Sequence, residues 1–287
     1  MKKNRKILLI IGIFLIVITA LILVYFGIFK NNKFKDLTFE SKNIYVYNIT
    51  DEKEVLNING EEKVAPASLT KIMTVIASLE NIDDLSALAP VDKASYQEMV
   101  AVNSSMAGFY GKEQTTYRDL LYGTMLASGG ECANSLAINI SKTTEEFVKL
   151  MNEKSKEIGL NNTNFTNPEG LDEENNYSTA KDISELIKNS LKNSEFREIF
   201  TKEEYISTST LDHPEGIEIK STVLTALSDY EQKDFKIIGG KSGTTENAGF
   251  CWATIAEKNN KEYICVVMGS ETNEGRIEDT LKIMDEI

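Results

Sequence analysis

The chain has 287 residues, 41% of them hydrophobic, with 44 acidic against 31 basic side chains and a formal net charge of −13. That length allows one large domain or two small ones with a sizeable core. Residues 1–35 hold seven of the bases and no acid, so residues 36–287 carry 24 bases against 44 acids, a charge of −20; a nucleic-acid partner, which needs a basic face, is argued against.

Taken in order, the chain opens with Lys2, Lys3, Arg5 and Lys6, then 23 uncharged residues from Ile7 to Phe29. As a helix this run would extend about 34 Å, against a hydrocarbon layer of roughly 30 Å. Residues 1–29 therefore read as a cytoplasmic amino terminus and one transmembrane helix, with the bulk outside the cell by the positive-inside rule. A cleavable signal peptide is the competing reading; the length of the run and the lack of an Ala-x-Ala-like site favour an uncleaved anchor. Residues 30–42 form a polar linker, and residues 43–287 are one domain.

In that domain Asn43–Asn48 alternates as a strand, and residues 54–58 are its hairpin partner across the turn 49–53. After Ala65-Pro-Ala-Ser-Leu-Thr-Lys71, the residues Leu69, Ile72, Met73, Ile76 and Leu79 recur at helical steps of three and four. Residues 81–112 are mixed and turn-rich. Helical patterns follow at 119–127, 131–140 and 144–158, the first two separated by a break at Ser128-Gly129-Gly130. Past the turn Asn167-Pro-Glu-Gly-Leu171, Ser178 or Thr179 caps a helix over 182–188. Strand patterns over 235–239, 250–256 and 263–268 come next, the last two joined by the short hairpin loop 258–261, and a helix over 274–287 closes the chain. Two strands early, three late and helices between predict an α/β (α+β) fold: one antiparallel sheet sewn from both ends of the chain, flanked by helices, with a helical insertion. The three cysteines, Cys132, Cys251 and Cys265, cannot all pair. Buried thiols are the default, a Cys251–Cys265 bridge stays open, and a zinc site is not expected.

Three residues apart on one helix, Ser68 and Lys71 are surface neighbours, so the lysine amine is placed to reach the hydroxyl. The same tetrad recurs as Ser178-Thr-Ala-Lys181, where a capping hydroxyl and an exposed first-turn lysine are sufficient explanation. His213 is the sole histidine and stands in a turn-like Leu-Asp-His-Pro-Glu-Gly context, which argues against a Ser-His-Asp triad and for a lysine base. For that role the Lys71 pKa must fall from about 10.4 toward ~7–8. Burial or a second cation does this, and Lys241 is the candidate cation.

Ser68-Leu-Thr-Lys71, then Ser128-Gly129-Gly130, then Lys241-Ser242-Gly243-Thr244 resemble the three ordered motifs of the penicillin-recognising serine enzymes. With Asn167-Pro-Glu-Gly-Leu171, Tyr177-Ser-Thr-Ala180, Val267-Met-Gly269 and Gly275-Arg276, the chain from about residue 40 to 287 resembles the low-molecular-mass D-alanyl-D-alanine carboxypeptidases. The resemblance implies a DD-peptidase/β-lactamase-like fold with a helical subdomain. It implies that Ser68 attacks the carbonyl of the penultimate D-alanine of a peptidoglycan stem peptide and Lys71 takes its proton, while Ser128 relays a proton to the leaving D-alanine. The N–H groups of Ser68 and Thr244 would form the oxyanion hole. Lys241, Ser242, Gly243, Thr244, Arg276 and Gly130 would line the substrate site, with Lys241, the two hydroxyls and Arg276 on its terminal carboxylate. β-Lactams would inhibit, and neither a metal nor a cofactor is implied. Gly130 departs from the asparagine usual in the second motif, and Asn134, one turn on, is its candidate substitute; Ser242 replaces threonine with the hydroxyl kept. A β-lactamase of the same fold and a catalytically weak wall-peptide binder are the alternatives.

Overall fold

The computed structural model describes residues 33–287, together with Val17 and Ile18. The apolar run 7–29 otherwise lies outside the described residues, and among those no helix is long and apolar enough to cross a membrane. The chain divides into two units, residues 1–38 with 286–287, and residues 39–285; the second contains the sheet and the site.

The sheet is built from β1 (Asn43–Asn48), β2 (Lys53–Ile58), β7 (Phe235–Thr245), β8 (Gly249–Lys258) and β9 (Lys261–Ser270), in the order β2-β1-β9-β8-β7. Every pairing is antiparallel, and β1 lies along β9 with Asn43 opposite Met268 and Asn48 opposite Tyr263. The first strand is thus stitched to the last, as the pattern of apolar runs predicts. At the β8–β9 corner Asn259 and Asn260 both have positive φ, 53° and 58°, the backbone of a two-residue hairpin turn that matches strand twist.

Between the early and late strands come α1 (Thr70–Leu79), β3 (Leu88–Pro90), α2 (Lys93–Ala101), β4 (Gln114–Thr116), α3 (Tyr117–Met125), α4 (Gly130–Ser141) and α5 (Thr144–Ile158). They are followed by α6 (Ala180–Ser190), α7 (Ser194–Thr201), β5 (Glu204–Ile206), β6 (Glu218–Lys220) and α8 (Thr222–Ala226), and the chain closes on α9 (Asn273–Glu286). Hydroxyls start several of these helices where the sequence places them: Thr116 forms a capping box with Asp119, and the Thr179 side chain accepts the Asp182 N–H. Gly159, with φ 88°, ends α5 in the left-handed conformation that glycine adopts without steric cost.

The helical period of α1 predicts one core face, yet the helix is buried on all sides, Thr70, Lys71, Thr74 and Ser78 included. It is the central post of the domain, and its polar residues face other protein rather than water. The two small sheets β3–β4 and β5–β6 and the helices α2, α7 and α8 were not legible in the sequence. The three cysteines are buried and free. Cys251 sits opposite Gly243 and Cys265 opposite Thr254, so the bridge left open by the sequence does not form.

Candidate active site

Ser68 lies in a 3-10 turn, Ala67–Leu69, that leads into α1. Ala67 has φ 49°, a left-handed conformation that costs a non-glycine residue about 1–3 kcal/mol unless its surroundings enforce it. Two close approaches enforce it. A Cβ on Gly243 of β7 would stand 3.0 Å from the Ser68 nitrogen, and one on Gly170, where φ is 85°, would stand 2.0 Å from the Ala67 carbonyl oxygen. Glycine at both positions lets the strand and the 167–171 turn clamp the serine from two sides.

One turn along α1, the Lys71 ammonium donates to Ser68 Oγ at 3.0 Å and to the Glu169 carbonyl at 2.6 Å. Thr74 Oγ1 donates to the Pro168 carbonyl at 2.6 Å, and Asn167 Oδ1 accepts the Gly170 N–H at 2.7 Å. The Asn-Pro-Glu-Gly-Leu turn is therefore fastened to the helix through Lys71 and Thr74. Across the site Lys241 Nζ donates to Ser128 Oγ at 2.8 Å and to the Ser242 carbonyl at 2.7 Å. Ser128 itself has φ 62° in the sharp turn between α3 and α4. Ser242 Oγ is 2.9 Å from Thr222 Oγ1, and Thr244 Oγ1 donates to the Gly243 carbonyl at 2.8 Å. The fold thus brings three motifs, more than 170 residues apart in sequence from first to last, into one polar constellation.

A cavity of about 430 Å³ opens on it, lined by Ser68, Lys71 and Thr244 among the expected residues and by Ser104, Ser105, Glu169 and Asp172 among the others. Arg276 is not in that lining. Only 8% exposed, it donates to the Gly243 and Cys251 carbonyls at 3.0 and 2.8 Å, touches Thr244 Oγ1 at 3.4 Å and binds Asn273 Oδ1. Its guanidinium also lies over the Phe250 and Trp252 rings. It holds the end of β7 through the Gly243 carbonyl and the Thr244 hydroxyl. Gly130 also stands outside the lining: its N–H bonds to the Ser105 carbonyl, and a Cβ there would meet Met99 Sδ and Ser104 Oγ, each at 2.7 Å. A side chain there would have to displace the ends of Met99 and Ser104. Asn134 Oδ1 is buried without a hydrogen-bond partner, and the Glu169 carbonyl holds Lys71.

Both lysines are fully buried, 1% and 0% exposed, and burial depresses both. Lys71 falls to about 8, desolvation outweighing the opposing pull of Glu169 and Glu131. Lys241 falls well below its ordinary range, because Lys71 and Arg276 add like-charge repulsion to its burial. Burial is the largest cause for both lysines, and the lysine–lysine repulsion expected from the sequence adds to it. Two carboxylates not singled out in the sequence adjoin the pair. Glu131 accepts the Ala107 and Gly108 N–H groups and ties the cavity rim to α4. Glu169 is only 6% exposed, and its Oε2 has no partner. A glutamate inside a Pro-Gly turn normally reads as solvated, so its burial is visible only in the fold. His213 stands apart, its Nδ1 2.8 Å from Glu113 Oε1 and its ring stacked on Tyr110. Among the described residues no three His, Cys, Asp or Glu side chains gather as a metal site.

Comparison with known proteins places these features in context. Residues 30–272 match the family Peptidase_S11, D-alanyl-D-alanine carboxypeptidase. The chain is 33% identical over 252 residues to the D-alanyl-D-alanine carboxypeptidase DacF of Bacillus subtilis, covering 87% of this chain and 62% of that protein. Against the D-alanyl-D-alanine carboxypeptidase of Streptomyces sp. strain K15 the identity is 31%, with 79% of each chain covered. With DacC of Escherichia coli it is 28%, over 79% of this chain and 56% of that one. The crystal structure of the Streptomyces K15 DD-transpeptidase is similar with a TM-score of 0.79 at 29% identity, covering 87% of this chain and 97% of that one.

Proposed function

Because the chain belongs to the peptidase S11 family of D-alanyl-D-alanine carboxypeptidases, we propose that it is a serine D-Ala-D-Ala carboxypeptidase that trims peptidoglycan stem peptides through an acyl-enzyme on Ser68. The observation behind this is the pair of buried lysines, each donating to a serine hydroxyl, at 3.0 Å for Lys71 and Ser68 and 2.8 Å for Lys241 and Ser128. With its pKa lowered, Lys71 has a neutral fraction near physiological pH and takes the Ser68 proton as Oγ attacks the carbonyl of the penultimate D-alanine. Ser128, hydrogen-bonded to Lys241, returns a proton to the leaving D-alanine amine. The Ser68 and Thr244 N–H groups receive the oxyanion, a contribution of about 3–4 kcal/mol per donor for sites of this class. The terminal carboxylate lies against the Ser242 and Thr244 hydroxyls and Lys241, whose charged form an approaching anion favours, and Arg276 acts through the strand end it holds. Water then releases the shortened peptide.

β-Lactams acylate Ser68 by the same attack. The run 7–29 anchors the protein in the cell membrane with residues 43–287 outside, and residues 30–42 span the gap. A second reading, transfer of the acyl group to an amine rather than water, is favoured by the likeness to a structure named DD-transpeptidase. The test is release of D-alanine from a pentapeptide ending in D-Ala-D-Ala, with and without an added amine acceptor, alongside labelling by a fluorescent penicillin. Stoichiometric labelling that is lost in Ser68→Ala, together with D-alanine release, supports the carboxypeptidase. A wild-type chain that neither labels nor releases D-alanine overturns it. Fractionation of cells expressing the full chain and a chain lacking residues 1–29 tests the anchor.

A further inference from the structure

The mechanism above leaves one buried group without a task. Glu169 lines the same cavity as Ser68 and Lys71, is almost wholly buried, and keeps an oxygen with no hydrogen-bond partner. Burying a carboxylate without partners is costly; Asp119, also buried, is by contrast held by the hydroxyls of Thr115, Thr116, Tyr205 and Thr208, and Glu131, whose Oε2 likewise lacks a partner, has its other oxygen held by the Ala107 and Gly108 N–H groups. The backbone of Glu169 cannot drift away from the site. Its carbonyl accepts Lys71 Nζ at 2.6 Å, and Gly170 beside it is seated on the Ala67 carbonyl. The carboxyl is therefore carried on the one turn clamped to both nucleophile and base.

Resting on the carboxypeptidase reading, we propose that Glu169 is the base that activates water for hydrolysis of the Ser68 acyl-enzyme. As the water oxygen bonds to the acyl carbon, Glu169 takes one of its protons. The tetrahedral intermediate then collapses with cleavage of the bond between that carbon and Ser68 Oγ, and the departing Oγ takes a proton from the Lys71 ammonium. Glu169 then passes its proton to solvent, as does the product acid, and Lys71 is left as the neutral amine that the next acylation needs. Lys71 thus enters acylation as the amine and hydrolysis as the ammonium, while Glu169 begins hydrolysis as the carboxylate.

The charges around Glu169 suit a group that exchanges protons near neutrality. Burial pushes it up to about 7 against the pull of Lys71, with Glu173 and Glu98 adding like charge; Asp172 and Glu246 line the same cavity, and Glu131 acts on the pair through Lys71. A base of this kind is worth on the order of 10²–10⁴ in rate.

The experiment separates the two halves of the reaction on the purified full chain. Enzyme is acylated with a fluorescent penicillin, excess label is destroyed, and the decay of labelled protein is followed between about pH 5.5 and 8, with thermal melting as the check on folding. Glu169→Gln should slow decay about 10²-fold and abolish its rise with pH, while acylation is no slower, because removing the carboxylate favours neutral Lys71. Glu169→Asp should retain part of the decay rate. Normal acylation with unchanged decay in Glu169→Gln overturns the assignment, as does an equal fall in both steps. Should Glu169→Gln not fold, the wild-type profile decides, and decay that does not rise with pH through about 7 overturns it. Wild-type enzyme that penicillin does not acylate instead overturns the carboxypeptidase reading itself.

Discussion

Two identical tetrad patterns, Ser68-x-x-Lys71 and Ser178-x-x-Lys181, fold into opposite environments. Both begin near a helix start, so the local spacing of serine and lysine is the same. Lys71 is enclosed by protein and reaches Ser68 Oγ and a turn carbonyl. Lys181 has a side chain 45% exposed and pairs with Glu61, while Ser178 Oγ meets Thr163 Oγ1 at 2.8 Å and Thr179 caps α6. The consequence is electrostatic. Burial lowers Lys71, whereas the hydrogen bond to Glu61 raises Lys181, so only the first lysine has a neutral fraction to use as a base. The difference teaches that a nucleophile–base pair is made by dehydration of the base, with spacing as a precondition.

Substitutions at matched positions sharpen or break this contrast. The largest effect is expected from Ser68→Ala: acylation by penicillin and D-alanine release should fall by about 10⁴-fold or more, while Ser178→Ala leaves the acylation rate constant within about twofold. Loss of labelling in Ser178→Ala would reverse the assignment of the two tetrads. Lys71→Gln should lower acylation by about 10²–10⁴-fold, the range for a general base, against no measurable change in Lys181→Gln.

The acylation rate should also climb with pH. Because the reactive form of Lys71 is the neutral amine, and its pKa lies at about 8, the rate rises nearly tenfold per unit below that value and levels above it; stopped-flow labelling across pH reads this directly. A profile flat from pH 6 to 9 would assign the proton to another group. On the stability side Gly170→Ala, which places a Cβ 2.0 Å from the Ala67 carbonyl at a positive φ, should cost about 3 kcal/mol in chemical denaturation. Thr179→Ala, which removes a cap from the other tetrad, should cost about 1 kcal/mol, with activity retained. The smallest effect is expected from Lys181→Ala, below about 1 kcal/mol for an exposed pair.

Much of the scaffold could be read before folding. The alternation of 43–48 and 263–268 and the period of α3, α4 and α5 are local properties, and each has its counterpart in the structure. α2 escaped because only Ser95 and Met99 of its residues are buried, which leaves almost no amphipathic signal, although Asp92 at its cap was a usable cue. The strands β5 and β6 are three residues each, too short for a period to declare itself. At the site, Ser68, Lys71, Ser128, Lys241 and Thr244 do converge. Arg276, expected on the substrate, holds the Gly243 and Cys251 carbonyls and reaches Thr244 Oγ1. Gly130 departs from the usual asparagine, and the ends of Met99 and Ser104 lie against it.

What the sequence by itself determined was therefore the helical adjacency of Ser68 and Lys71, a capping hydroxyl at Ser178 or Thr179, which the fold assigns to Thr179, and the order of the three motifs along a sheet closed by both chain ends. Those features depend on the period of a helix or strand and on connections between neighbours, which any short stretch specifies. Only the tertiary structure decided which of the two tetrads was dehydrated, that Lys241 is buried with it, and that Glu169 lies buried beside both nucleophile and base. These depend on what surrounds a charge. That company is supplied by residues such as Glu169 and Lys241, which lie 98 and 170 positions from Lys71 in the chain and meet it only when the helices close over α1.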